Sequence, residues 1–250
     1  MNERFTNILW ALALSVVTAV LIILAYNLGG KADALTGRIL VMMGAGSLWG
    51  IIQFITYFAF YWGLFEIIAQ MRRLRREEQS LYKGLLPEDE HYVLAPFQVA
   101  ELKLNIIRKE QPQKSLLGDL IIKACTKFRA NKSSSEALDV VSAQCRINQI
   151  QAESIQSVIR YCLYAIPSIG FIGTVIGIAQ SLTLATDTSS EGIKKITSAL
   201  NVAFDTTLVA LVLSLALTLY FHVLQERTER LHTRLEAYII ENLINRIYKE

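Results

Sequence analysis

Four long apolar blocks, almost free of charge, fix what this chain can fold into. A helix that spans lipid needs about 20 mostly apolar residues, because the hydrocarbon core is about 30 Å thick. Blocks of that kind lie at about residues 7–28, 39–70, 161–184 and 196–223. Inside lipid every backbone N–H and C=O must bond within its own segment, so the blocks are helices. The expected fold is an all-α integral membrane protein with four transmembrane helices, the longer of them extending into the cytoplasm. The first apolar run, residues 9–26, is longer than a signal-peptide core and has no small-residue cleavage site after it. It therefore reads as a retained first helix.

Between the blocks the chain is polar. Gly29 and Gly30 end the first helix, and residues 31–38 form a short polar loop. The second block is longer than one crossing needs, which predicts tilt or projection from the membrane. Tyr57, Tyr61 and Trp62 suit an interfacial aromatic belt. Gln53 and Glu66 are its polar intrusions, with Glu66 close enough to the end to reach the interface. Residues 77–160 are charged, and Pro87, Pro96 and Pro112 break their first part. Residues 134–161 contain neither Gly nor Pro, start with Ser134 or Ser135 as a cap, and run into the third span. Residues 186–192 form a turn. Past the fourth span, Leu224, Leu231, Leu235, Ile239 and Leu243 recur at helical spacing. They mark an amphipathic helix for partner chains or for the other polar segment. The segments are then 1–76, 77–160, 161–223 and 224–250.

Basic residues set the orientation. Residues 71–160 hold 15 Lys plus Arg and residues 224–250 hold 5, against Lys31, Arg38, Lys194 and Lys195 around the two short loops. The rule that positive loops stay inside places the long segments, and both termini, in the cytoplasm.

Enzyme chemistry has no foothold. Neither GxSxG, HExxH nor a P-loop frame occurs, and His91, His222 and His232 are scattered. Cys125, Cys145 and Cys162 are odd in number and include no CxxC, which argues against a disulfide framework or a zinc site. No enzyme activity, cofactor or metal is expected, and the net charge of +3 gives no sign of a nucleic-acid partner.

The spans themselves carry the candidate chemistry. Gly170, Gly173, Thr174, Gly177 and Ser181 share one face of the third helix, and Gly173 and Gly177 form a GxxxG. Pro167 should loosen this helix near its inner end. Ala199, Ala203, Thr207, Ala210, Ser214 and Thr218 follow one face of the fourth, with Thr206 at its margin. Such stripes serve either close helix packing or, repeated around a ring of chains, a weakly polar pore. Asp205 is the single acid well inside a span. It lies about 200° around the helix from Thr207, in line with Ser198 and Asn201, so the two cannot face one pore. Asp205 is either bonded to a neighbouring helix or engaged in ion handling.

Gly170-Phe-Ile-Gly-Thr-Val-Ile-Gly-Ile178 resembles the signature of the MotA/TolQ/ExbB proton-channel family, as does Ala203-Phe-Asp-Thr-Thr-Leu-Val-Ala-Leu211 in the next helix. The resemblance covers about residues 167–220. The four-span layout looks more like the flagellar stator branch than like the three-span ExbB and TolQ. It implies a motor subunit of the bacterial inner membrane, a homopentamer around two copies of a single-span partner similar to ExbD, TolR or MotB. The partner supplies an intramembrane aspartate that takes the ion. Thr174 and Thr207 match the pore threonines, and Thr206 beside Thr207 resembles the pair of sodium-type stators. Three positions depart from the pattern. Val202 stands where ExbB and TolQ carry a glutamate, Ala210 stands where glycine is frequent, and Asp205 is outside the usual motif. The leading expectation is a proton-driven motor subunit set in membrane lipid. A sodium-driven flagellar-type stator and a non-conducting membrane scaffold are the alternatives.

Overall fold

The structure, a computed structural model, describes residues 2–28, 34–45, 50–89, 93–109, 115–186 and 189–247. Gly29, Gly30, His91, Pro112 and parts of the 31–38 and 186–192 segments lie outside these residues. Eight α-helices account for nearly all of the described chain: α1 Asn2–Leu28, α2 Ala34–Met42, α3 Gly50–Leu81, α4 Pro96–Lys109, α5 Leu116–Asn131, α6 Ser134–Ile155, α7 Ser157–Leu184 and α8 Ser190–Asn242. Four helical stretches are long and apolar enough to cross a membrane. The expected all-helical, four-span fold is the one observed.

The second block differs from the continuous helix expected of it. It begins as α2, four residues before the end of the expected polar loop, then breaks and restarts at Gly50. Gly44, with φ +112°, makes the break, in backbone space that a side chain resists. The carbonyls released there are met by side chains of α3. Tyr57 donates its hydroxyl to Met43 O at 2.9 Å, and Gln53 donates Nε2 to Met42 O at 3.3 Å. Tyr57 is therefore buried and serves the break, not an interfacial belt. Tyr61 shares a hydrogen bond of 3.0 Å with Thr18 of α1.

The chain divides into two compact units, Met1–Ile68 with Ser157–His222, and Ala69–Gln156 with Val223–Glu250. The first holds the spanning segments. Ile22, Ala45, Tyr57 and Val209 form one of its buried clusters.

The second unit is built on helices whose ends are locally specified. Pro96, expected as a breaker, is instead the first residue of α4, where its missing N–H costs nothing. Gln98 reaches back to accept the Ala95 N–H at 2.9 Å. Ser115 caps α5 by accepting from Gly118 N–H at 3.0 Å. The cap of α6 is Ser133, one residue before the expected Ser134, accepting from Glu136 N–H at 3.3 Å. Apolar faces of α4, α5 and α6 close over Leu231, Leu235, Ile239 and Leu243 of α8, the residues whose helical spacing marks an amphipathic helix. Arg246 ties the end of the chain to the segment after α3, donating to Pro87 O at 2.8 Å and Glu88 O at 3.2 Å.

Burial in this core pushes the Cys125 thiol up to about 12 and the Cys145 thiol up to about 11. Neither presents a thiolate at neutral pH, and neither is reachable without opening the unit. Leu235→Ala deletes a fully enclosed side chain at a cost of about 2–5 kcal/mol. We expect alkylation of Cys125 in the native protein to be slow and to accelerate at least about tenfold in this variant. Equal rates in both proteins, measured by mass spectrometry, would show that Leu235 does not support this core.

Candidate functional site

The site begins with the absence of side chains. Gly170, Gly173 and Gly177 recur on one face of α7, and all three are buried against α8. A Cβ on Gly170 would stand 2.5 Å from the Ala210 Cβ and 3.2 Å from the Thr207 Cα. On Gly173 it would stand 2.8 Å from the Thr206 Cβ, and on Gly177 2.7 Å from the Ala203 Cβ and 2.9 Å from Ala199 O. No side chain larger than hydrogen fits at that spacing. The two stripes therefore face each other within one chain, glycine against alanine or threonine. Ser181 continues the buried face, its hydroxyl donating to Ile178 O at 2.9 Å.

That close approach brings two hydroxyls across the seam. Thr174 of α7 donates to Ala203 O of α8 at 3.1 Å, and Thr207 of α8 donates to Gly170 O of α7 at 2.9 Å. The two hydroxyl oxygens also touch each other. Each hydroxyl has a single proton to give to one of these partners, and its oxygen keeps lone-pair capacity as an acceptor. Thr174 and Thr207 are half-buried, so this patch of two hydroxyls and two carbonyls lies at the edge of the seam. It holds no titratable group.

Thr206 does not join them. It is 2% exposed, packs on Gly173 and donates its proton to Ala203 O at 3.0 Å. Pro167 sits inside α7, which remains helical through it. A proline nitrogen has no proton for the carbonyl one turn back, that of Leu163. Ser214 of α8 donates to Leu163 O instead, in a long bond of 3.5 Å.

Asp205 points elsewhere. It is 5% exposed and forms a two-pronged ion pair with Arg38 of α2, at 2.6 and 2.7 Å. Ser198, Asn201, Val202 and Tyr26 line a pocket of about 360 Å³ beside the pair. Arg38 is the ion-pair partner that sequence reasoning missed, because it belongs to α2 and not to the expected polar loop. The available signal was that an acid buried in a span needs a cation, and Arg38 is the only arginine near that end of the spans. Glu66 is likewise buried, at 4% exposed, and accepts from Asn7 Nδ2 of α1 at 3.2 Å.

Four helices long and apolar enough to span a membrane, with a hydroxyl-carbonyl patch between the last two, define a membrane-embedded helical protein. Residues 112–237, half of the chain, match the MotA/TolQ/ExbB proton channel family, and the chain belongs to that family. The family is one of ion-driven membrane channel and motor subunits, not of enzymes, and works with a partner subunit. No curated protein and no solved structure matches the chain.

The seam makes different demands on different glycines. In Gly177→Ala the new methyl group meets a backbone carbonyl and a Cβ, neither of which can turn away. In Gly63→Ala of α3 the closest atom is the flexible end of Leu217, at 2.8 Å, with the Cys162 Cβ at 3.2 Å and no backbone atom as near. We expect Gly177→Ala to cost about 1–3 kcal/mol and lower the melting temperature in detergent, and Gly63→Ala to lower it less. Equal melting temperatures for the two variants would contradict the close approach of α7 and α8.

Proposed function

We propose that this chain is the ring-forming subunit of a proton-driven motor in the bacterial inner membrane. Five copies surround two copies of a single-span partner similar to ExbD, TolR or MotB, with both termini of the chain in the cytoplasm. Thr174 and Thr207 face the partner helices and present acceptors to an intramembrane aspartate there. Proton transfer at that aspartate drives rotation of the ring about the partner pair.

The observation that carries this reading is the reciprocal Thr174–Ala203 and Thr207–Gly170 bonding. It holds two hydroxyl oxygens ready as acceptors in an otherwise apolar span. Hydroxyls do not ionise near neutral pH, so the patch can receive a proton-bearing group or an ion but cannot itself carry the proton. The two acids within the spans are engaged elsewhere, Asp205 with Arg38 and Glu66 with Asn7. A titratable group from a second chain is therefore what the patch lacks. Thr206, turned onto Gly173 with its proton committed, supplies no second hydroxyl beside Thr207. That favours a proton over the sodium-type reading. Gly170, Gly173, Gly177, Ala203 and Ala210 serve helix packing, and Asp205 is a structural anchor to α2.

The test is proton flux in liposomes reconstituted with the chain and its partner. Thr207→Val should abolish flux without changing the native mass of the complex, and Thr207→Ser should retain it. Asp205→Asn should conduct while lowering stability by roughly 2 kcal/mol, the scale of a lost hydrogen bond to a charged group. Wild-type flux in Thr207→Val would remove the assigned ion path and leave a non-conducting scaffold as the better description. Loss of flux in Asp205→Asn at unchanged native mass would return Asp205 to the path.

A further inference from the structure

The pocket beside the Arg38–Asp205 pair holds more hydrogen-bonding capacity than the protein uses. It is open to the surface and lined by Tyr26 of α1, Gly37, Arg38 and Val41 of α2, and Ser198, Asn201, Val202 and Asp205 of α8. Asp205 takes two of the five N–H donors of the Arg38 guanidinium, and the Arg38 side chain is still 47% exposed. Among the described residues, the side chains of Tyr26, Ser198 and Asn201 have no hydrogen-bond partner. Two hydroxyls, one amide and the rest of a guanidinium thus open onto one space.

Their depth says what fills it. The apolar stretch of α8, residues 196–223, is longer than the roughly 20 residues that the hydrocarbon core requires. Ser198, Asn201 and Asp205 all fall before residue 206, so the surplus length lies at this end. The pocket therefore stands at the level of the lipid headgroups. Lys194, Ser198, Asn201 and Asp205 follow at intervals of four, three and four residues, in one line within about 60° on α8. Lys194 has no ion pair among the described residues, whereas Lys195, on another face, pairs with Glu191 at 3.0 Å. Lys194 and Arg38 against Asp205 leave the line with one positive charge in excess.

We propose that this pocket seats the headgroup of an anionic phospholipid. The phosphate accepts from Lys194, Ser198 and Arg38, and the ester oxygens below it accept from Asn201 and Tyr26. Val41 and Val202 receive the first carbons of the acyl chains. The excess positive charge favours an anionic headgroup over a zwitterionic one, whose ammonium it repels. This site is separate from the threonine patch and does not depend on its assignment.

The experiment counts bound lipid on the full chain in mild detergent by native mass spectrometry. The chain is titrated with phosphatidylglycerol and, separately, with phosphatidylethanolamine of the same acyl chains. Basic residues elsewhere hold lipid in every variant, so the readout is the difference between variants. Lys194→Gln with Asn201→Leu, which leaves the Arg38–Asp205 pair in place, should weaken phosphatidylglycerol retention at least about fivefold, the scale of one basic residue at a lipid surface. Lys195→Gln removes the same charge off the line and should retain as much as wild type. With phosphatidylethanolamine, wild type and the double variant should differ little. Phosphatidylglycerol should also raise the wild-type melting temperature, and glycerol 3-phosphate, the headgroup chemistry without acyl chains, should leave it unchanged at millimolar concentration. Undiminished phosphatidylglycerol retention in a double variant that melts like wild type without lipid would overturn the proposal. So would an equal loss in Lys195→Gln, an equal difference with phosphatidylethanolamine, or stabilisation by glycerol 3-phosphate.

Discussion

The distance between α7 and α8 governs everything else in the spanning unit. Three glycines let one helix settle onto alanine and threonine of the other at a spacing that no Cβ would permit. Lipid gives no hydrophobic drive for two helices to associate, so close packing and cross-helix hydrogen bonds hold them. The same approach that gains packing brings Thr174 within reach of Ala203 O and Thr207 within reach of Gly170 O. Wider separation would lose both bonds and the patch with them. Structure and candidate chemistry thus share one cause.

Charge is handled by pairing in the same unit. A carboxylate in a span is tolerated when a partner meets it, and Asp205 and Glu66 each have one on another helix. Arg38 and Asn7 thereby fasten α2 to α8 and α1 to α3. The broken second block follows the same accounting for the backbone. Carbonyls freed around Gly44 are taken by Tyr57 and Gln53, and the carbonyl freed by Pro167 is taken by Ser214.

The spans were legible because length and hydropathy alone decide whether a segment can cross lipid. Helix faces were legible for the same kind of reason, since spacing of three and four residues places Gly170, Gly173 and Gly177 together whatever surrounds them. Details set by single residues were less visible. The break in the second block is marked by Gly44, Gly46 and Gly50 within seven positions, a signal that hydropathy averaging hides. The Arg38–Asp205 pair joins residues 167 positions apart, and no local pattern reports such a contact. His232 looks like any other scattered histidine until its neighbours are known. Only packing reveals that one ring nitrogen has a partner and the other does not.

On the proposed function, this chain provides acceptors in the membrane while another chain provides the titratable group. Proton flux through liposomes holding the chain alone, compared with liposomes holding the chain together with its single-span partner, tests it most directly. We expect no flux above the lipid background for the chain alone and robust flux for the complex. Equal flux from the chain alone would contradict it, since the titrating group would then have to lie within this sequence.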